Sequence, residues 1–124
     1  MTMISQDDID AFSNQPRNML VKDLNDYQKK AVSFAIYPDT HKVLYPALGL
    51  CGEAGEVAEK VKKHVRDGVF NHYEVAKELG DVLWYAANLA NDIGYSLQEV
   101  ASINVDKLTG RKGRGVLKGS GDNR

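Results

Sequence analysis

The 124-residue chain is 43% hydrophobic and 27% charged, with a formal net charge of −1, the profile of one soluble globular domain with no room for a second. So neutral a balance excludes stable nucleic-acid binding and attachment to an anionic membrane, which call for a large basic excess; any polyanion must be met by a local patch. Cys51 is the single cysteine, which excludes an intrachain disulfide, and no apolar run is long enough for a secretory leader or for the ~20 residues of a membrane span. The expected location is therefore intracellular, in the cytoplasm.

Residues 1–22 are polar and weakly patterned around Pro16, and read as an arm that orders only against a partner. The remaining 23–124 form one helical domain. From Asp23 onward Leu24, Tyr27, Ala31 and Phe34 recur at steps of three and four, so a first helix is expected to stop by Pro38. A second begins near Pro46, a residue tolerated in a first turn, and ends at Gly68, with Leu44, Leu48, Cys51, Ala58 and Val65 as its buried stripe. A third runs from about His72 to Ile93, burying Val75, Leu79, Val82, Leu83, Ala86, Ala90 and Ile93, and Gly94 stops it. Ser96 and Glu99 form a capping box for a fourth helix carrying Val100, Ile103 and Leu108. Beyond Leu108, five glycines interleaved with Arg111, Lys112, Arg114 and Lys118 read as a mobile basic tail. No strand pattern and no internal repeat is present, so the fold class is all-α, a four-helix bundle.

The acidic residues are what this pattern leaves unexplained. Residues three apart on a helix share a face with about 4.5 Å of rise between them, so Glu53 pairs with Glu56 and Glu78 with Asp81. If the second and third helices pack antiparallel across the short connection after Gly68, the four carboxylates converge. Solvated surface acids are the ordinary alternative, and Glu56 with Lys60 and Glu59 with Lys63 are spaced for exposed ion pairs. On the third helix, however, Glu74, Glu78, Asp81, Tyr85, Asn88 and Asp92 form one stripe that contains no lysine or arginine. Uncompensated like charges at that spacing repel, and a bound divalent cation is the economical remedy. All-oxygen ligands suit Mg²⁺, Mn²⁺ or Ca²⁺, whereas zinc or a ferritin-like di-iron centre recruits histidine or cysteine; His41, His64 and His72 are scattered and read as surface or helix-end residues.

The run Gly49-Leu50-Cys51-Gly52-Glu53-Ala54-Gly55-Glu56-Val57, followed by Glu78-Leu79-Gly80-Asp81-Val82-Leu83-Trp84-Tyr85, resembles the MazG-like nucleoside triphosphate pyrophosphohydrolases of the all-α NTP pyrophosphatase superfamily. The resemblance extends from Tyr27-Gln28 through Tyr45-Pro46-Ala47-Leu48, Asn104 and Lys107-Leu108 to Arg114-Gly115 and Gly119-Ser120-Gly121-Asp122-Asn123-Arg124. It implies a four-helix MazG-like bundle working as a homodimer or homotetramer, and hydrolysis of an NTP or dNTP to the nucleoside monophosphate and pyrophosphate. Carried over by position, Glu53, Glu56, Glu78 and Asp81 are the implied magnesium ligands and catalytic group, with Mn²⁺ as a substitute, and Asn104, Lys107 and Arg111 are implied phosphate contacts. Arg114 continues their helical spacing and would extend a cationic face over the substrate. Tyr85, Asn88, Trp84 and Gln28, the last beside Tyr27, are candidates for the base or ribose, and Glu56 for orienting or deprotonating the attacking water. Two other classes of protein fit the same sequence: a catalytically inactive nucleotide-binding sensor, and a purely helical assembly module.

Overall fold

The structure is a computed structural model that describes residues 5–7, 10 and 20–124. Of the arm expected over 1–22, residues 1–4, 8–9 and 11–19 lie outside the described residues. Among the described residues there are four α-helices, a short 3₁₀ turn and no strand: α1 (Leu24–Ser33), the turn (Asp39–His41), α2 (Leu44–Asp67), α3 (His72–Asp92) and α4 (Leu97–Gly113). The all-helical class is thus as expected. No helix among them is long and apolar enough to cross a membrane.

Each helix start is secured by local chemistry. Asp23 accepts from the Asp26 amide at 2.7 Å, Asn71 from the Glu74 amide at 3.0 Å, and Ser96 from the Glu99 amide at 3.0 Å while Glu99 reaches back to Ser96 N. α2 has no side-chain cap; it begins at Val43, whose φ of 68° is a left-handed conformation that a β-branched residue adopts only under constraint. The constraint is the Asp92 carboxylate, which accepts the Val43 amide at 2.9 Å and the Tyr37 hydroxyl at 2.8 Å. Gly68, in the left-handed region, ends α2.

The most extensive interface in the chain joins α2 to α3. Lys60 meets Glu74, Glu53 meets Glu78 and Asp81, and Gly49 meets Tyr85, so the two helices run antiparallel from the tight connection between them. Gly49 is required there, because a Cβ at this position would fall inside the Tyr85 ring. α1 packs on α3, and α4 on both α1 and α3. Their shared core is small: Ala31, Ala87 and Leu97 are buried, with Leu24, Tyr27 and Trp84 packed against them.

Two expectations about burial are corrected. On α2, Leu44, Leu48, Cys51, Ala58 and Val65 are exposed, and Leu48 keeps 65% of its surface accessible. The sheltered positions are Pro46, Gly49, Leu50, Glu53, Val57, Lys60 and His64, one flank round the helix, because that flank faces α3. On α3, Val75, Val82, Ala86 and Ala90 are sheltered as expected, but Leu79, Leu83 and Ile93 are exposed. The apolar periodicity is real, yet within one chain no further layer covers it. The third difference is α4, which continues past Leu108 to Gly113 and then stops in a Schellman turn: Val116 N bonds Arg111 O at 2.9 Å and Gly115 N bonds Lys112 O at 3.2 Å, with Gly115 at φ 72°.

Gln28 holds the α1, α3 and α4 junction together. Its amide nitrogen donates to Ala87 O and Tyr95 O, each at 3.1 Å, and its oxygen accepts the Leu97 amide at 2.9 Å, one of the donors that the start of α4 leaves open. Replacing Gln28 by Leu leaves the Leu97 amide buried without an acceptor and is expected to cost about 2–3 kcal/mol, measured as a lowered urea midpoint with the slope unchanged.

Candidate functional site

Carboxylate oxygens of Glu53 on α2 and of Glu78 and Asp81 on α3 lie within 4.8 Å of one another. The helical spacing of Glu78 and Asp81 and the close approach of α2 at Gly49, one turn from Glu53, produce this convergence. Among the described residues no lysine or arginine forms an ion pair with any of the three. The Glu53 carboxyl is accordingly held above its usual range, first by burial and then by the charges of Asp81, Glu78 and Glu56 and a hydrogen bond with Glu78. Three hard oxygen donors with a charge deficit at their centre are a fit for a divalent cation of the Mg²⁺ or Mn²⁺ type.

Glu56, expected as a fourth ligand, is exposed and stands outside this group, one turn along α2. The acidic stripe of α3 is also less uncompensated than the sequence suggests. Glu74 is neutralised by Lys77 at 3.1 Å and by Lys60 of α2 at 3.7 Å, and Asp92 is occupied by Tyr37 and Val43. The expected pairs of Glu56 with Lys60 and Glu59 with Lys63 are replaced by Lys60 with Glu74 and Glu59 with Lys62. Among the described residues Glu78, Asp81 and Asp92 of that stripe have no partner cation; Asp92 is satisfied by hydrogen bonds from Tyr37 and Val43, and Glu78 and Asp81 are the two that meet Glu53.

Aromatic residues line the groove beyond the acids. Tyr85 lies over Gly49, its hydroxyl raised by burial, by a hydrogen bond with Tyr45 and by the charges of Tyr45, Glu53 and Asp81. Tyr45 stacks on Tyr37 with centroids 5.0 Å apart and is 6.2 Å from Tyr85. The Tyr37 hydroxyl is pushed up to about 12 by burial and by Asp92. From α1, the Tyr27 hydroxyl is raised by burial and then by the charge of Asp81. Sequence reasoning missed Tyr37 and passed over Tyr45 as a site residue; the available signal was that Tyr45, Gly49 and Glu53 repeat at i,i+4. Trp84 packs edge-on against Tyr85 at 5.0 Å and, with Leu20, Val21, Tyr27 and Phe34, borders an apolar cavity of about 550 Å³. Asn88 is buried and donates to Trp84 O at 3.1 Å, while Gln28 is wholly engaged in the framework described above.

The cationic face on α4 is not brought onto the acids. Asn104 is exposed; Lys107 and Arg111 both meet Asp122 of the tail at 3.2 Å, and Arg114 donates to Arg124 O at 2.9 Å. The segment expected to be mobile is thus folded back on α4.

Residues 40–115, more than half of the chain, match the model of the MazG nucleotide pyrophosphohydrolase domain. The chain belongs to the MazG family. The matched region contains α2, α3 and α4, all four acidic residues of the two motifs, and Asn104 through Arg114; the tail from Val116 lies outside it. Gene 37 protein of Mycobacterium phage L5 is a relative with 48% identity over 109 residues, covering 79% of this chain and 96% of its own. No solved structure matches.

The raised Glu53 carboxyl fixes the sign of a stability effect. A carboxyl whose folded-state pKa exceeds its unfolded one supports folding most below the unfolded value, and that support is lost as pH rises through the raised value. Neutralising one neighbour, as in Glu78→Gln, is therefore expected to raise the metal-free melting temperature at pH 7 by a few degrees, while Mg²⁺ is expected to raise that of the unsubstituted protein and not that of the variant, read by thermal melts in EDTA and in Mg²⁺.

Proposed function

We propose that this MazG-family chain is a Mg²⁺-dependent hydrolase that cleaves a nucleoside triphosphate, NTP or dNTP, between the α and β phosphates, giving the monophosphate and pyrophosphate. One observation carries the reading: three carboxylates from two helices converge within 4.8 Å, with no ion pair to a lysine or arginine among the described residues, inside the matched pyrophosphohydrolase domain.

In this reading Glu53, Glu78 and Asp81 hold the metal, with Glu56 completing the set from the next turn of α2. Bound there, Mg²⁺ neutralises phosphate charge and acidifies a coordinated water. Glu56, exposed and free of any ion pair among the described residues, is the group placed to orient the attacking water or to take its proton. Asn104, Lys107, Arg111 and Arg114 supply donors for the phosphates; Tyr85, Asn88 and Trp84 border the space for base or ribose. Gln28 acts at one remove, by fixing α1 against α3.

The exposed apolar stripes of α2 and α3 support a homodimer or homotetramer, because contiguous apolar surface of this kind marks an interface. The cytoplasm is the compartment that supplies such substrates. A second reading, a nucleotide-binding sensor or assembly module without turnover, draws on the engagement of Lys107 and Arg111 by Asp122 rather than by the acid groove.

An NTP and dNTP panel with Mg²⁺ separates the two: monophosphate plus pyrophosphate supports the enzyme, and binding without products supports the sensor. Glu53→Ala and Asp81→Ala are each expected to lower Mg²⁺-dependent pyrophosphate release by at least about 10²-fold with the helical content unchanged; full activity in either removes the cluster from the mechanism. Leu48→Lys places a charge on the exposed α2 stripe and is expected to shift the sedimentation profile towards monomer.

A further inference from the structure

The tail beyond Gly115 departs from the expectation of a mobile segment in a way that has chemical content. Arg124 donates to Val116 O at 3.0 Å, Leu117 O at 3.0 Å and Gly121 O at 2.6 Å, closing the tail into a compact loop. The loop presents Asp122 to Lys107 and Arg111, which lie one turn apart on α4. Arg111 is only 6% exposed, and its side-chain hydrogen bonds run to the loop alone, from Nη2 to Gly121 O at 3.1 Å and to Asp122 Oδ1 at 3.2 Å.

This arrangement is underfilled. One Asp122 oxygen, Oδ1, serves both cations at distances long for charge-assisted bonds, and Arg111 Nε is buried with no hydrogen-bond partner. Nε and Nη2 form the edge of a guanidinium that grips an oxyanion in two places, and here only half of it is used. A phosphoryl group has enough oxygens to satisfy Nε, Nη2 and the Lys107 ammonium together; a carboxylate committed through one oxygen does not. Asp122 itself is 81% exposed, so little besides these two cations holds its side chain in place.

We propose that Lys107 and Arg111 form a phosphate seat which Asp122 fills in the free chain, and that a phosphoryl group of the substrate or of pyrophosphate displaces Asp122 as the tail loop moves off α4. Asp122 is then an internal competitor for the anion, and the loop is the gate over Arg111. The inference rests on the assignment of Lys107 and Arg111 to phosphate made above.

The test is calorimetric titration of the full chain with inorganic pyrophosphate in metal-free buffer of low ionic strength. Asp122→Asn, which removes the competing charge, is expected to bind roughly tenfold tighter than the unsubstituted chain, the scale set by losing two partly exposed ion pairs, and Arg111→Gln to bind negligibly. Unchanged or weaker binding in a folded Asp122→Asn variant overturns the proposal. Should that variant not fold, amide spectra of the unsubstituted chain decide: saturable shifts at Gly121 and Asp122 on adding pyrophosphate support displacement, and their absence overturns it. Neither readout involves nucleotide hydrolysis. A chain inactive on every nucleotide but tighter with Asp122→Asn keeps the seat and refutes the enzymatic reading; an active chain with unaltered pyrophosphate binding refutes the seat alone.

Discussion

Repulsion among Glu53, Glu78 and Asp81 is the force around which the α2–α3 hairpin is arranged. Left to itself it would drive the helices apart at their middle. It is held by contacts on both sides: toward the connecting turn, Lys60 of α2 reaches Glu74 of α3, and on the other side Tyr85 lies over Gly49 while Tyr45 stacks on Tyr37. Asp92 ties the far end by clamping the strained Val43 and the Tyr37 hydroxyl. Domains of this size are stable by only about 5–15 kcal/mol, so a charge cluster kept closed in this way is an instability that a bound cation, as proposed, would relieve. Stability and ligand occupancy are thereby linked through the same three side chains.

The apolar side of the hairpin has the complementary character. The core shared by α1, α3 and α4 is built on Ala31, Ala87 and Leu97, residues that let helices approach closely but remove modest apolar area from water. The larger side chains, Leu44, Leu48, Val65, Leu79 and Leu83, remain accessible. In the proposed homo-oligomer these side chains would supply the hydrophobic burial that the single chain lacks, and stability would then depend on the protein's own concentration.

What the sequence made legible were the features with a local cause. Gly68, Gly94 and the Ser96 and Glu99 box mark helix ends through φ preference and short-range hydrogen bonds, and the paired acids follow from helical spacing. Features decided between distant segments were not legible. Periodicity shows that α2 has an apolar stripe but not whether that stripe meets α3 or another molecule, and the answer here was the adjacent flank. Glu74 looked uncompensated because the stripe was counted without its neighbour Lys77, three residues on, and because its second partner, Lys60, lies across the turn on another helix. Gln28 looked like a surface ligand because nothing in its neighbourhood announces that three backbone groups, from residues 59 to 69 positions away, converge on its amide. The glycine-rich tail looked disordered because its order comes from a terminal arginine bonding carbonyls that composition does not reveal.

Among the described residues two charge imbalances of opposite sign stand out. Between α2 and α3 three carboxylates lack a cation; on α4 a lysine and a buried arginine share one oxygen of one carboxylate, with Arg111 Nε unsatisfied. Neither imbalance is explained by packing, since burying unpaired polar groups or crowding like charges costs stability wherever it occurs. A divalent cation carrying a polyphosphate has the charge that each place lacks, positive toward the carboxylates and negative toward the guanidinium. The two places lie on different helices, and among the described residues no ion pair joins them. In the proposed reading, a tail loop that moves off α4 and a second copy across the exposed apolar face are the two routes by which one ligand would meet both.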